Sequence, residues 1–434
     1  MERPPARICC LDLDTFFVSV ERILDPSLLG RPVVVGGRPS SRGVVTACSY
    51  EVRELGVRSG MSLTRAAELA PHAIYLPTRH GVYGEYAEKV RAIASSYTPE
   101  SRVASIDEMY LDFRGCERLY AKPGDRDGDA TIERVVREIT ARIASELGLP
   151  ASCGIASSKA VAKIASTVAK PAGVRLVPAG TEMEFLGPLP VRKLPGVGPV
   201  AENKLIAAGI RTIGELATAP RGPVNRVFGA WAEIIQRNAN GDGASSLGRD
   251  RPAFREHDPE GEAIGSISNE RTFLEDISDP KHVEDRLCSL AERVCWRARK
   301  RGVKARTVTL KLRYSDFRTL SRGRTIHPTC SEHDVLPVVI ELFRETRNRN
   351  KRVRLIGIKL SNLGLFDDQL DLFAGHDKLH RAVDDVRARF GFDALTSGSA
   401  SHATSTKRRA RRGSGRTLIE SWDDAPSTSH GSPR

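Results

Sequence analysis

No apolar run in the chain is long enough to cross a bilayer, which excludes a helical membrane anchor. The opening residues Met1-Glu2-Arg3-Pro4 carry no secretory pattern, because Asp12 and Asp14 interrupt the apolar stretch that follows, and a cytoplasmic location is expected. Eight cysteines are present (Cys9, Cys10, Cys48, Cys116, Cys153, Cys288, Cys295 and Cys330), yet none forms a CxxC pair or joins a Cys/His cluster with zinc spacing. They read as free thiols of a reducing compartment, not as a disulfide framework. Acidic residues are in deficit: 54 Asp and Glu face 67 Lys and Arg, a net charge of +13. Such an excess favours a polyanionic partner, either nucleic acid or an anionic membrane surface.

The basic excess is uneven. Residues 262–362 hold 22 Lys and Arg against 13 Asp and Glu, whereas the carboxylates of chemical interest lie in the first 110 residues. Chemistry and polyanion grip are therefore expected in different parts of a chain whose 434 residues suit roughly two to four domains. Residues 7–11 read as a buried strand running into Asp12, and 14–24 as a helix with Phe17, Val20 and Leu24 on one face. Strands are expected at Val33–Val35, Val44–Ala47, Met109–Phe113 and Ala151–Ala156. Helices are expected at 49–55, 62–70, 82–96, 130–147 and 159–169. Residues 176–240 read as short helices, and 241–261 as a Gly/Ser/Asp/Pro-rich linker. From 262 the pattern is again α+β. Val308, Leu310, Leu312 and Tyr314 alternate with Thr309, Lys311 and Arg313, which describes a half-buried strand with a basic outer face.

Two acidic motifs stand out, Asp12-Leu13-Asp14 and Ser105-Ile106-Asp107-Glu108. Carboxylates at the ends of buried strands cost several kcal/mol of desolvation unless something compensates, and a divalent cation is one such compensation. Phosphoryl transfer from a nucleotide uses two such ions about 3.5–4 Å apart. Capping or surface acids are the plain alternative for either motif alone.

The surrounding residues sharpen this. Asp12-Leu13-Asp14-Thr15-Phe16-Phe17-Val18-Ser19-Val20-Glu21 resembles the first motif of the Y-family DNA polymerases, and Ser105-Ile106-Asp107-Glu108-Met109-Tyr110-Leu111-Asp112 resembles their second. The likeness continues through Ser49–Met61, Gly154–Lys159, Lys163–Ala165 and Ala169–Gly173, covers roughly residues 6–363, and is nearest the DinB, or DNA polymerase IV, branch. The resemblance implies a multidomain α+β fold of the right-hand polymerase type. It places a catalytic palm at 1–22 and 78–175, small fingers at 23–77, a helical thumb with a helix-hairpin-helix at 176–244, a linker at 245–261 and an α+β little finger at 262–362. It also implies translesion synthesis with dNTPs on primer-template DNA. Asp12, Asp107, Glu108 and the Leu13 backbone carbonyl would hold two Mg²⁺ ions, and Phe17 would be the steric gate against a ribose 2′-hydroxyl. Tyr50, Arg53, Lys170 and, with less support, Thr46 would contact the triphosphate. Asp14 would be a supporting residue, and Phe16 a plain core residue. The segment Glu100–Ala104 departs from the usual family pattern and reads as a loop variation.

Leu194-Pro195-Gly196-Val197-Gly198 resembles the hairpin of a helix-hairpin-helix, in which Gly196 and Gly198 let backbone N–H groups reach a DNA phosphate. The run from Trp296 to Arg306 carries six basic residues, and Arg297, Arg299, Lys300 and Arg301 are expected on the DNA backbone. Within 363–396, Gln369-Leu370-Asp371-Leu372-Phe373 resembles the bacterial sliding-clamp-binding peptide. Gln369, Leu370, Leu372 and Phe373 would make that contact. Residues 397–434 read as a disordered basic tail. A monomer is expected. The rival reading is a non-catalytic DNA-binding accessory protein on the same fold; relatives of that kind lack the acidic residues that this chain retains.

Overall fold

Strand β1 (Ile8–Leu13) is buried along all six residues. Successive side chains of a strand point to opposite faces, so Cys9, Leu11 and Leu13 enter one core while Ile8 and Cys10 enter another. A strand covered on both sides sits at the centre of its sheet. The computed structural model describes residues 6–248, 265–365 and 376–395. It divides into a first unit, Met1–Pro39 with Gly43–Asp250, and a second, Ser40–Arg42 with Arg251–Arg434.

In the first unit the chain leaves β1 through Thr15, whose φ of 44° is left-handed, and enters helix α1 (Phe16–Leu24). It continues through β2 (Val33–Val35), β3 (Ala47–Cys48), α2 (Tyr50–Glu54), α3 (Leu63–Leu69), β4 (Ile74–Leu76) and α4 (His80–Ser95). Then come β5 (Glu100–Val103), β6 (Glu108–Asp112), α5 (Glu117–Tyr120), α6 (Gly128–Leu147), β7 (Ala151–Ala156), α7 (Lys159–Val168) and β8 (Val174–Leu176). The main sheet runs β5-β6-β1-β7-β8, antiparallel except between β7 and β8. On one face, α6 packs Ile132, Val135, Val136, Ile139 and Ile143 onto the core that holds Leu11, Leu111 and Ile155. On the other lies α7, drawn so close over β7 that a methyl at Gly154 would collide with the backbone of Ala162 and Ser166. A small sheet, β3-β2-β4, has its own core of Val34, Val45, Cys48, Val52, Val57, Leu63 and Ala66.

Helices α8 (Glu182–Leu186), α9 (Pro199–Ala207), α10 (Ile213–Thr218), α11 (Arg221–Phe228) and α12 (Ala232–Ala239) complete the unit. Their Leu186, Val191, Leu194, Leu205 and Leu216 share one core with Ile8, Cys10, Val161 and Ile164. The helical segment is thus built onto the α7 side of the main sheet. The start of the expected linker also belongs to this unit. Leu247 is buried, its carbonyl accepts from Arg102 at 3.0 Å, and the Ser245 carbonyl accepts from Arg114.

The second unit contains β9 (Ser266–Ile277), α13 (Pro280–Lys300), β10 (Lys304–Tyr314), β11 (Thr319–Thr329), α14 (Glu332–Thr346), β12 (Val353–Gly364) and α15 (His376–Phe390). Its antiparallel sheet runs β11-β10-β12-β9. The inward residues Val308, Leu310, Leu312 and Tyr314 of β10 meet Leu287, Val294, Val339 and Phe343 of α13 and α14.

Three expectations are corrected. Glu100–Val103 is not a loop but the edge strand β5, paired in register from Glu100↔Asp112 to Val103↔Met109. Its mostly exposed side chains gave it no apolar alternation to read. The strand expected at Val44–Ala47 shrinks to Ala47–Cys48, and Val44 forms an isolated bridge with Ser62. Within 363–396, residues 376–390 form helix α15, which docks on α13 through the buried ion pair Arg387–Glu292 at 2.8 Å, while Trp296 meets Phe392 just beyond the helix. The clamp-like residues 369–373 and the tail 397–434 lie outside the described residues.

Candidate functional site

The register of the main sheet builds the site. Asp12 stands directly across from Glu108 on β6 and from Ser152 on β7. It continues the Ile8–Cys10 face of β1, the face covered by α7. Helix α7 is apolar on that side apart from Ser166, whose hydroxyl lies 3.6 Å from Cys10 Sγ, and Lys163. Lys163 places its Nζ 2.5 Å from Asp12 Oδ2 and 2.5 Å from Glu108 Oε2. Beyond the helix, Lys170 Nζ lies 2.5 Å from Asp12 Oδ1 and 3.2 Å from Asp14 Oδ1. Both oxygens of Asp12 therefore face an ammonium. Burial opposes the charge on each lysine, but the neighbouring carboxylates outweigh it and hold both pKa values above the ordinary lysine range. Below the same pair, burial and then Glu108 push the Cys10 thiol far up, so it stays protonated. Its Sγ points to Glu108 Oε1 at 3.7 Å.

Asp14 is only 1% exposed and fully engaged. It accepts from the Ser152 hydroxyl at 2.7 Å, from the Ala172 amide at 2.7 Å and from the Tyr50 hydroxyl at 3.4 Å. That web, with the Ser19 hydroxyl donating to the Asp14 carbonyl at 2.7 Å, fixes the corner at Thr15 whose left-handed backbone costs about 1–3 kcal/mol. Asp107 is placed differently from Asp12 and Glu108. Its carbonyl accepts from the Leu13 amide at 2.9 Å, which ties the two acidic motifs together through the backbone. Its carboxylate is held by the Ser105 hydroxyl at 2.5 Å. Among the described residues no three His, Cys, Asp or Glu side chains converge as a ready-made metal cluster. The structure brings Asp12 and Glu108 together around an ammonium and leaves the Asp107 side chain apart from them.

Beside the acids lies an aromatic wall. Phe16 is buried in the core, while Phe17 is half-buried and stacks on Tyr83, with centroids 4.1 Å apart and planes 16° apart. His80 meets the Phe17 ring edge-on, and burial lowers its pKa. The Tyr83 hydroxyl donates to Glu21 Oε1 at 2.5 Å, and Arg79 clamps the same carboxylate. Tyr50 carries the Arg53 guanidinium over its ring at 5.3 Å. Thr46 fits its expected role poorly: its single hydroxyl proton goes to the Val35 carbonyl at 2.9 Å, which leaves only lone pairs for a phosphate. Lys163 and Tyr83 are the residues that sequence reading passed over. The signal for Lys163 was a lone cation inside Ala160-Val161-Ala162-Lys163-Ile164-Ala165; Tyr83 had no local signal.

Gly196, at φ 93°, and Gly198, which precedes the first turn of α9, form the expected hairpin. The basic run on α13 divides. Lys300 lies over the Trp296 ring at 5.7 Å, Arg301 is exposed, and Arg297 donates to the Ser268 carbonyl at 3.1 Å. Arg299 corrects the expectation. Its side chain is 11% exposed and is paired with Glu332 at 2.6 Å and Asp384 at 2.7 Å, so its guanidinium joins α13 to α14 and α15.

An acidic pair on neighbouring central strands, flanked by an aromatic wall and basic side chains, has the form expected of the palm of a right-hand nucleotidyltransferase. The comparisons narrow the class. Residues 11–167 match the impB/mucB/samB family, 180–210 the helix-hairpin-helix motif of that family, and 265–372 its C-terminal domain. The chain is 37% identical over 397 residues to a DNA polymerase IV of Dehalococcoides mccartyi, covering 90% of this chain and 97% of that one. It is 38% identical over 391 residues to a DNA polymerase IV of Desulfatibacillum aliphaticivorans, covering 88% and 93% respectively. A Y-family chimera of Dbh and Dpo4 superposes with a TM-score of 0.70 at 25% identity, over 82% of this chain and 98% of that one. The chain therefore belongs to the Y-family DNA polymerases, in the DNA polymerase IV branch.

The double pairing of Arg299 makes a prediction that separates it from its neighbours. Arg299→Ala should destabilise the second unit by about 3–5 kcal/mol, because two carboxylates lose their cation. The salt dependence of DNA binding should stay at the wild-type slope, whereas Arg301→Ala should reduce that slope by about one. Denaturant unfolding and binding titrations at several salt concentrations check both. A flattened slope with unchanged stability for Arg299→Ala would contradict the placement.

Proposed function

We propose that the chain adds dNTPs to a primer 3′ end along a template, as a low-fidelity translesion polymerase. The observation that carries this reading is the pair Asp12 and Glu108, opposite each other on neighbouring strands and sharing one cation at 2.5 Å. Hard carboxylate oxygens around a point charge suit a divalent metal, and the Lys163 ammonium is its stand-in. In this reading Asp12, Glu108, Asp107 and the Leu13 carbonyl hold two Mg²⁺ ions. When bound, such ions activate the attacking hydroxyl and neutralise the leaving phosphates.

The chain's own residues supply the rest. Lys170 and Arg53 would take the triphosphate oxygens, Lys170 by leaving Asp12 and Asp14, and Arg53 with its planar fork. Tyr50 would keep Arg53 and Asp14 in place through its ring and hydroxyl. Phe17, stiffened by Tyr83 behind it, would fill the space a 2′-hydroxyl needs. In this reading 1–22 with 78–175 would be the palm, 23–77 the fingers and 176–244 the thumb; the separate core of the small sheet and the run of short helices α8–α12 support the last two. The Gly196–Gly198 hairpin would hold the DNA backbone in the thumb. The second unit would be the little finger, with Arg301, Lys300 and Arg297 toward the backbone. Residues 369–373 would bind the sliding clamp, with the enzyme acting as a cytoplasmic monomer. Retention of Asp12, Asp107 and Glu108 disfavours the accessory-protein reading.

Primer extension with purified protein, Mg²⁺ and dNTPs tests the catalytic assignment. The Asp107→Ala/Glu108→Ala double variant should lose roughly 10³-fold or more of the rate, the several kcal/mol that a metal clamp supplies. Equal rates for wild type and variant would end the assignment. Phe17→Ala should relax discrimination against ribonucleotides by about 10²-fold; unchanged dNTP/rNTP selectivity would remove the gate from Phe17. Deleting 369–373 should abolish clamp-stimulated synthesis and leave clamp-free extension intact, and a loss of basal extension would point to a structural role.

A further inference from the structure

We propose that Lys163 is a tethered placeholder for the divalent cation, a positioning residue that keeps Asp12 and Glu108 assembled while excluding metal from the point between them. The inference rests on the reading of Asp12 and Glu108 as metal ligands given above.

The geometry supports it in three ways. The Nζ of Lys163 lies 2.5 Å from one oxygen of each acid, in the position a cation bridging the two strands would take. Helix α7 is packed so closely onto β7 at Gly154 that no side chain would fit there, and this close approach brings the Lys163 stem within reach of both acids. The ammonium sits at the end of a flexible stem, so exchange of lysine for metal needs only rotation of the side chain. Finally, both oxygens of Asp12 already face an ammonium, Oδ2 that of Lys163 and Oδ1 that of Lys170, so metal entering the empty enzyme competes with both.

A nucleotide changes that balance. Its triphosphate gives Lys170 another anion to pair with, which frees Asp12 Oδ1. It also brings negative charge that offsets the repulsion between an incoming metal and Lys163. Metal binding is thereby linked to nucleotide binding by competition for the same carboxylates, with no movement of the fold.

Mn²⁺ alone, added to the full chain without DNA or nucleotide, is the probe, and its free fraction is followed by electron paramagnetic resonance. Lys163→Met keeps the length of the side chain and removes the charge. It should bind Mn²⁺ about tenfold tighter or more than wild type, because a cation in contact with the site is gone. Lys163→Arg should stay near wild type. Mn²⁺ should also raise the melting temperature of Lys163→Met more than that of wild type, since a ligand that binds only the folded state stabilises it in proportion to its affinity. If Lys163→Met does not fold, Lys163→Gln is read in its place. Equal or weaker Mn²⁺ binding by the uncharged variant overturns the placeholder. The Asp12→Asn/Glu108→Gln variant separates the two readings: if the tighter site persists in Lys163→Met combined with those changes, or if no form of the chain binds Mn²⁺, the metal-ligand assignment falls too.

Discussion

Everything at the site follows from a strand buried on both faces that ends in carboxylates. Ile8, Cys9, Cys10 and Leu11 are at most 1% exposed, and Asp12 and Asp14 sit at 8% and 1%. Charge that deep has to be matched, because an unpaired buried carboxylate costs several kcal/mol. The fold supplies the match from two positions on one segment, Lys163 within α7 and Lys170 just beyond it. The close fit of α7 over Gly154 is what brings the first of them within reach. The left-handed corner at Thr15 and the bonds to Asp14 then fix where β1 hands over to the helix that presents Phe17. Sheet, helix and aromatic wall are consequences of one electrostatic requirement.

That requirement also explains what could be read from the sequence. β1 and β7 were legible as short continuous runs of buried residues, and α6 and α7 because burial imposes a period of about 3.6 on their apolar residues. β5 was not, because an edge strand exposed on most of its length has no period to show. The carboxylates were legible as motifs, but their arrangement was not. The alignment of Asp12 with Glu108 depends on strand register, and the turning of Asp107 to Ser105 depends on one hydroxyl. Lys163 showed in the sequence only as a lone cation in an apolar run and Tyr83 not at all, because both reach the site through packing between elements far apart in sequence.

In the second unit, charge counting gave the right sign and a mixed distribution. The outward row of β10 holds Thr309, Lys311 and Arg313. Across the register lie Gly323, Ser321 and Thr319 on β11, and Lys359, Gly357 and Leu355 on β12. Lys311 is already paired with Glu270 at 2.7 Å. This face is flatter and richer in hydroxyls than a basic face read from one strand. Hydroxyls and backbone amides position a nucleic-acid backbone without reading its sequence, so a shallow surface with a few cations suits a template of any sequence. Other basic residues in the region serve cohesion: Arg299 with Asp384, and Arg387 with the buried Glu292, hold α15 against α13.

The contrast between the two cation types completes the argument. Glu21, 3% exposed, is held by the planar fork of Arg79 and by the Tyr83 hydroxyl, and it anchors the ring on which Phe17 stacks. An arginine is always charged, fixed in plane and bidentate, which suits a carboxylate that must never let go. Asp12 and Glu108 are held by lysines, which are point charges on flexible stems and rotate away without breaking a planar fork. The acid behind the aromatic wall is therefore held by a planar fork, and Asp12 and Glu108 by ammoniums on flexible stems. In the proposed roles these become a rigid surface against which a sugar would be judged and carboxylates that would exchange one cation for another. Two kinds of basic side chain, each placed against a buried acid, provide that division within a single fold.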